Sequence, residues 1–274
     1  MLQIVFSCLL LSCSDINKIN RDKSVDKSKL LGCDYRLFQN TPAWELAKAV
    51  WDEDEKKIKD IVSKNPELIN YQEPKFGSTL LMLTIKNQQL KPFRVLISNK
   101  ADVNIYDTYD GTSALIEACT YDFYSIQFVK TLLENGADIN FAEIGERRQG
   151  NTTRYTPLIA AAETGSLDLV KMLVKYGADI NYKNEYGGSA FNSAVMLDKY
   201  KVALYLIKNG ADYSSPIFIR FGNSYPYNPE EDTPMYLIDV LKEDNHHSMS
   251  IGESVYRKRL IELLKNKGEW GNAN

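Results

Sequence analysis

The stretch YTPLIAAAETGSLDLVKMLVKYGADIN, residues 155–181, decides the architecture. Thr156 offers a hydroxyl to the free N–H groups of a helix start, and Pro157 follows at the first helical position, where a missing N–H costs nothing. Leu158, Ala161 and Ala162 recur at helical spacing, and the small residues let this inner helix lie close to its neighbours. Gly165 ends it. A second helix is expected from Leu167 to about Tyr176, with Leu169, Val170, Leu173 and Val174 on its buried side, closed by Gly177 in a left-handed turn.

The closing residues recur along the chain as NKADVN at 99–104, NGADIN at 135–140, YGADIN at 176–181 and NGADY at 209–213. Their shared alanines at 101, 137, 178 and 211 are separated by 36, 41 and 33 residues, the period of a stacked helix pair. Gly136, Gly177 and Gly210 occupy the turn, whereas Lys100 stands there in the first copy. That turn therefore requires a non-glycine residue at positive φ or a changed geometry.

Residues 155–181 resemble an ankyrin repeat across its full length. The histidine usual after Thr-Pro-Leu is replaced by Ile159. Ser113-Ala114-Leu115-Ile116 and Ser189-Ala190-Phe191-Asn192 are the matching starts, so less regular capping is expected than in an ideal array. The resemblance implies an all-α solenoid of about six stacked helix-turn-helix units with inserted loops. The units fall at Ala43–Asn70, 76–104, 111–140, 155–181, 188–213 and Thr233–Gly268. The first is a polar end repeat with Leu46, Val50, Ile58, Ile61, Val62 and Leu68 as its apolar set, and its charge run at 53–60 reads as a solvated outer face.

The amino end reads as a targeting segment. Leu2 to Ser12 is almost wholly apolar and uncharged, too short to span a bilayer but long enough for a signal-peptide core. Leu10-Leu11-Ser12-Cys13 resembles the lipobox of bacterial lipoproteins, which implies a signal peptide over 1–12, lipidation of Cys13, and an outer-membrane, periplasm-facing address. One departure is that no Lys or Arg precedes the apolar run. Ser14 to Lys29 carries eight charged residues, so 13–41 reads as a polar tether and 42–274 as the repeat domain.

Composition narrows the chemistry. Lys plus Arg number 33 against 36 Asp plus Glu, a net charge of −3, which leaves no broad basic surface for nucleic acid. There are only two histidines, the adjacent His246 and His247, whose side chains diverge on a regular element. With four cysteines in no cluster, the usual zinc ligand sets are missing. Cys119, inside a helical pattern, reads as a packed thiol. No Gly-rich phosphate loop and no Gly-x-Ser-x-Gly elbow occurs. The expectation is a non-catalytic chain with no cofactor, no metal and no small-molecule substrate.

In such a stack the helices are committed to packing, whereas the turns between units project as fingers. Insertions lengthen two of them, at Phe141–Arg154 and Ser214–Asp232. The expected partner-contacting residues are Tyr106, Asp107, Tyr109 and Asp110; Glu146, Arg147, Arg148 and Arg154; Tyr182, Glu185 and Tyr186; and Arg220, Tyr225 and Tyr227. The apolar run Ile217, Phe218, Ile219 and Phe221 reads as a hairpin packed on the stack. Architecture and address together resemble small envelope lipoproteins that protect a cell from delivered toxin enzymes such as lipases. The rival readings are an envelope scaffold supporting a periplasmic enzyme, and a cytosolic or host-directed ankyrin effector.

Overall fold

The structure, a computed structural model, describes residues 21–121, 125–145, 154–185, 187–220, 230, 232–243 and 250–270. Among these, twelve α-helices pair in sequence and one two-stranded sheet is present. The architecture is all-α, as the repeat pattern requires. The chain divides into two compact units, residues 1–148 and 149–274, and the boundary falls in the long interval between the third and fourth helix pairs.

In the first unit the pairs are α1 (Trp44–Trp51) with α2 (Glu55–Lys64), α3 (Leu80–Lys86) with α4 (Leu90–Ser98), and α5 (Ala114–Cys119) with α6 (Ser125–Glu134). Leu46, Val50, Ile58 and Val62 of the first pair are buried, while Ile61 and Leu68 are only half-buried and Ile69 takes the interior place. The core continues through Leu80, Leu83, Phe93, Leu96, Ala118 and Phe128. Phe93 and Phe128 meet edge to face at 4.8 Å, an arrangement that aligns ring edge with ring face. Cys119 is fully buried, and that burial pushes its thiol pKa up, so it packs rather than reacts.

The second unit holds α7 (Pro157–Thr164), α8 (Leu167–Lys175), α9 (Ala190–Met196), α10 (Tyr200–Lys208), the strands β1 (Phe218–Arg220) and β2 (Thr233–Met235), then α11 (Leu237–Lys242) and α12 (Ile251–Asn266). Leu169, Val170 and Leu173 are buried as expected, but Val174 is half-exposed because it sits at the edge of the apolar stripe. β1 and β2 pair antiparallel with Phe218 opposite Met235. Ile217 is buried beside this hairpin while Ile219 is exposed, so the apolar run is only partly structural. Phe221 lies outside the described residues.

Capping of the four inner helices α3, α5, α7 and α9 is more regular than the sequence suggests, although α1 starts after Ala43 with no side-chain cap. Thr79, Ser113, Thr156 and Ser189 each accept the backbone N–H three residues on, at 3.2–3.3 Å. Serine and threonine present the same hydroxyl there, so losing the Thr-Pro pair does not lose the cap. The helix ends repeat as well: the N–H groups of Ala101, Ala137, Ala178 and Ala211 donate back to Leu96, Leu132, Leu173 and Leu206 at 3.0–3.1 Å. Lys100 adopts φ 69° to make the same closure as its glycine counterparts. Within each unit, a motif asparagine ties one repeat to the next. Asn104 accepts the Asp138 N–H and donates to the Gly136 carbonyl, and Asn181 does the same with Asp212 and Gly210.

The tether expected over 13–41 does not reach Thr41. Cys33, Tyr35, Leu37 and Phe38 are buried. Tyr35 stacks on Trp51 at 5.8 Å and donates to Gln89 at 2.6 Å. Asn87 donates to the Cys33 carbonyl, and Lys75 reaches those of Ser28 and Leu30. Four closely spaced apolar side chains outweigh the polar composition around them, so the folded body begins well before α1.

Candidate protein interface

The fingers of the first unit are the turns preceding α3 and α5 and the segment 141–145. Each is organised from within by a buried carboxylate. Glu73 accepts the N–H groups of Lys75, Phe76 and Ser78, and Asp107 accepts those of Tyr109, Asp110 and Gly111 at 3.0, 2.8 and 3.1 Å. Glu143, the next equivalent, is buried and accepts the Thr112 hydroxyl. Asp107 is therefore a turn organiser with 5% exposure and not a contact residue, contrary to its reading as a tip.

The fingers are also joined to one another. The Thr108 N–H donates to the Phe76 carbonyl at 2.9 Å, and the Gly145 N–H donates to the Asp110 carbonyl at 3.0 Å. Gly111 is required at this junction: it holds φ 67°, and a Cβ there would lie 2.2 Å from the Gly145 nitrogen. On this ribbon Phe76 meets Tyr109 edge to face at 5.2 Å, and Tyr106 stacks on Phe141 at 5.7 Å. Tyr106, Tyr109 and Ile144 remain 42%, 36% and 53% exposed. Rigid, half-exposed aromatic rings beside an aliphatic side chain lose little entropy on docking, which is what a protein interface needs.

Residues 46–143 and 140–216 match the family model for ankyrin repeats, three copies. The chain belongs to the ankyrin-repeat family. Its ankyrin helices and fingers make it an interaction module. An ankyrin repeat protein of Acanthamoeba polyphaga mimivirus is 32% identical over 125 residues, covering 42% of this chain and 22% of that protein. The ankyrin repeat and KH domain-containing protein mask-1 of Caenorhabditis elegans is 26% identical over 204 residues, covering 64% of this chain and 7% of the relative. An ankyrin repeat protein of fowlpox virus is 26% identical over 160 residues, 56% of this chain and 45% of that protein. The chain thus spans less than a quarter of the length of the first two.

Of the residues expected at the interface, Tyr106, Asp107, Tyr109 and Asp110 come together in one ankyrin finger, where Asp110 is half-buried and contributes its carbonyl to the ribbon. In the second unit Arg154 pairs with Glu185 at 3.3 Å, and Tyr182 is half-buried against the start of its finger. Arg220 stands apart on β1, paired with Glu243. Lys183 lies 2.6 Å from Asp212 and, through that hydrogen bond, holds its carboxyl well below the ordinary carboxylate range. Cys13, Glu146, Arg147, Arg148, Tyr186, Tyr225 and Tyr227 lie outside the described residues, as does the pair His246 and His247. Phe76, Phe141 and Ile144 were missed by sequence reasoning. Their signal is position: each lies within three residues of a turn-organising carboxylate, on the fingers flanking the one singled out for Tyr106 and Tyr109. No helix of the described residues is long and apolar enough to cross a membrane.

Proposed function

We propose that this ankyrin chain is a non-catalytic, envelope-anchored immunity protein that binds a toxin enzyme through the finger ribbon of its first unit and occludes it. The observation that carries the binding reading is that ribbon. Tyr106, Tyr109 and Ile144 stay exposed on backbone that hydrogen bonds hold rigid. The envelope reading comes from Leu2–Ser12 and the lipobox-like residues ending at Cys13. Described contacts begin at Arg21, which pairs with Asp52 and whose carbonyl accepts from Gln39. Arg21 stands eight residues after Cys13, so a lipid on Cys13 would hold Arg21 within about 30 Å of its anchor at most. An anchor of that length keeps the module at the membrane, where a delivered toxin would arrive.

Affinity purification from the periplasmic fraction, with wild type against Tyr106→Ala/Tyr109→Ala, tests the reading. Wild type is expected to retain a toxin-type enzyme and suppress its activity, and the double variant to bind at least tenfold more weakly while keeping its helical spectrum. Labelling with a palmitate analogue is expected for wild type and not for Cys13→Ala. Equal retention by both proteins would remove the ribbon as the site, and equal labelling would remove the anchor.

A further inference from the structure

Counted from the capping residue of each inner helix, the fourth and seventh positions after the cap lie on one side of the helix. In the first unit these positions include Lys86 on α3 and Glu117 on α5. Their charged atoms lie 3.7 Å apart, both side chains are mostly buried, and Gly32 of the amino-terminal segment lies against the Lys86 ammonium. That part of the inner-helix face is charge-balanced and covered by the chain itself.

The same positions of the second unit differ. α7 presents Ala160 and Glu163, and α9 presents Ser193 and Met196. The Tyr155 hydroxyl donates to Glu163 Oε2 at 2.9 Å, and the Ser193 hydroxyl donates to Oε1 at 3.1 Å. Each carboxylate oxygen is thereby fixed, yet no Lys or Arg pairs with Glu163 among the described residues. A carboxylate has about four acceptor positions, and the two hydroxyls fill two. Burial pushes its pKa above the ordinary range, against the opposing effect of both hydroxyls, because the charge is desolvated and not neutralised. One turn on from Ser193, on the same side of α9, Met196 is 57% exposed, and Leu197 after it is 39% exposed. A pre-oriented carboxylate with an open thioether one helical turn beyond its Ser193 partner matches one side-chain chemistry: a cationic head on an aliphatic stem.

We infer that the inner-helix face of the second unit receives a lysine or arginine of the protein partner on Glu163, with the stem of that residue lying along Met196. The inference rests on the protein-binding reading above and adds the chemistry of the group recognised. A purely structural role for Glu163, tying α7 to α9, would be served by glutamine too, whose amide oxygen accepts one hydroxyl while its NH2 donates to the oxygen of the other.

The test uses the full chain in the cells that make it, with a photo-crosslinking amino acid at position 196 and, separately, at position 109. The partner peptide captured from position 196 is expected to carry Lys or Arg within two residues of the crosslink. Glu163→Gln is expected to weaken binding of that partner at least tenfold with an unfolding midpoint equal to or above that of wild type. Capture from position 109 but not 196, a captured peptide with no basic residue, or Glu163→Gln binding within twofold of wild type would each overturn the inference and leave the protein-binding reading standing. Capture from neither position would remove both.

Discussion

Asp107→Ala separates a folding role from a contact role at the centre of the finger ribbon. Asp107 Oδ1 alone accepts three backbone N–H groups, from Tyr109, Asp110 and Gly111. Hydrogen bonds to a charged acceptor contribute about 1.5–3 kcal/mol each in buried settings. The three donors sit at a turn that water reaches once the carboxylate is gone, so the contributions do not simply add. A net loss of about 2–4 kcal/mol is the expected outcome. Asp107→Asn keeps an oxygen at Oδ1 and loses only the charge. Because charge-assisted bonds are about twice as strong as neutral ones, that variant is expected to lose about half as much.

Equilibrium urea denaturation followed by tryptophan fluorescence measures both, since Trp44 and Trp51 lie in the first unit. Alanine within about 0.5 kcal/mol of wild type, or asparagine as damaging as alanine, would refute the turn-organiser argument. Binding adds a second discrimination. If Asp107 touched the partner, Asp107→Asn would lose affinity while the fold held. The buried geometry instead expects affinity to fall only as far as the finger loosens.

Three further outcomes follow from other parts of the molecule. Leu173→Ala, at 0% exposure in the second unit, is expected to cost about 2–5 kcal/mol by chemical denaturation, and an unchanged midpoint would contradict the repeat register. Lys100→Gly is expected to stabilise the first unit by about 0.5–1 kcal/mol, because a side chain at φ 69° is strained where glycine is not; a loss of stability would show that the Lys100 side chain makes contacts outweighing that strain. Glu163 has its folded pKa raised by burial. Its contribution is therefore fully present below the ordinary glutamate value and lost as pH rises through the folded one. Glu163→Gln should gain stability relative to wild type between pH 4 and pH 7, and a difference that is flat or opposite in sign would refute the assignment.

The fold was legible because each repeat writes its own punctuation. The Gly-Ala-Asp ending, the capping hydroxyl and the helical spacing of residues 155–181 predict α7 and α8 nearly to their ends, and the six helix pairs fall where the spacing places them. What escaped is the amino-terminal segment. Residues 21–41 are polar on average, and averaging hides the cluster Cys33, Tyr35, Leu37 and Phe38, whose burial depends on Trp51 and Gln89 being brought to it by a fold that the local sequence does not encode. The reliance on glycine was also too strict. Lys100 holds the same turn because the two closing hydrogen bonds and the burial of Ala101 offset its backbone strain.

The site was less legible, and the reason lies in the geometry of a turn. Residue type alone ranks Asp107 with Tyr106 and Tyr109 as exposed polar or aromatic tips. Yet the position three residues beyond the motif asparagine, filled by Glu73, Asp107, Glu143 and Asn184, points inward in every finger described. A short acceptor there gathers the N–H groups that the sharp turn leaves unpaired, a demand of the backbone that any acidic or amide residue satisfies. Its neighbours, freed of that duty, carry the variable surface: Tyr106 in one finger, Lys183 in another. The inner helices divide in the same way. At the seventh position after the cap, Lys86 finds its counter-charge within the chain, whereas among the described residues Glu163 meets hydroxyl donors and no cation. A carboxylate that two hydroxyls orient and that no described cation neutralises is better explained by a partner than by packing, since packing alone would be served by an uncharged side chain.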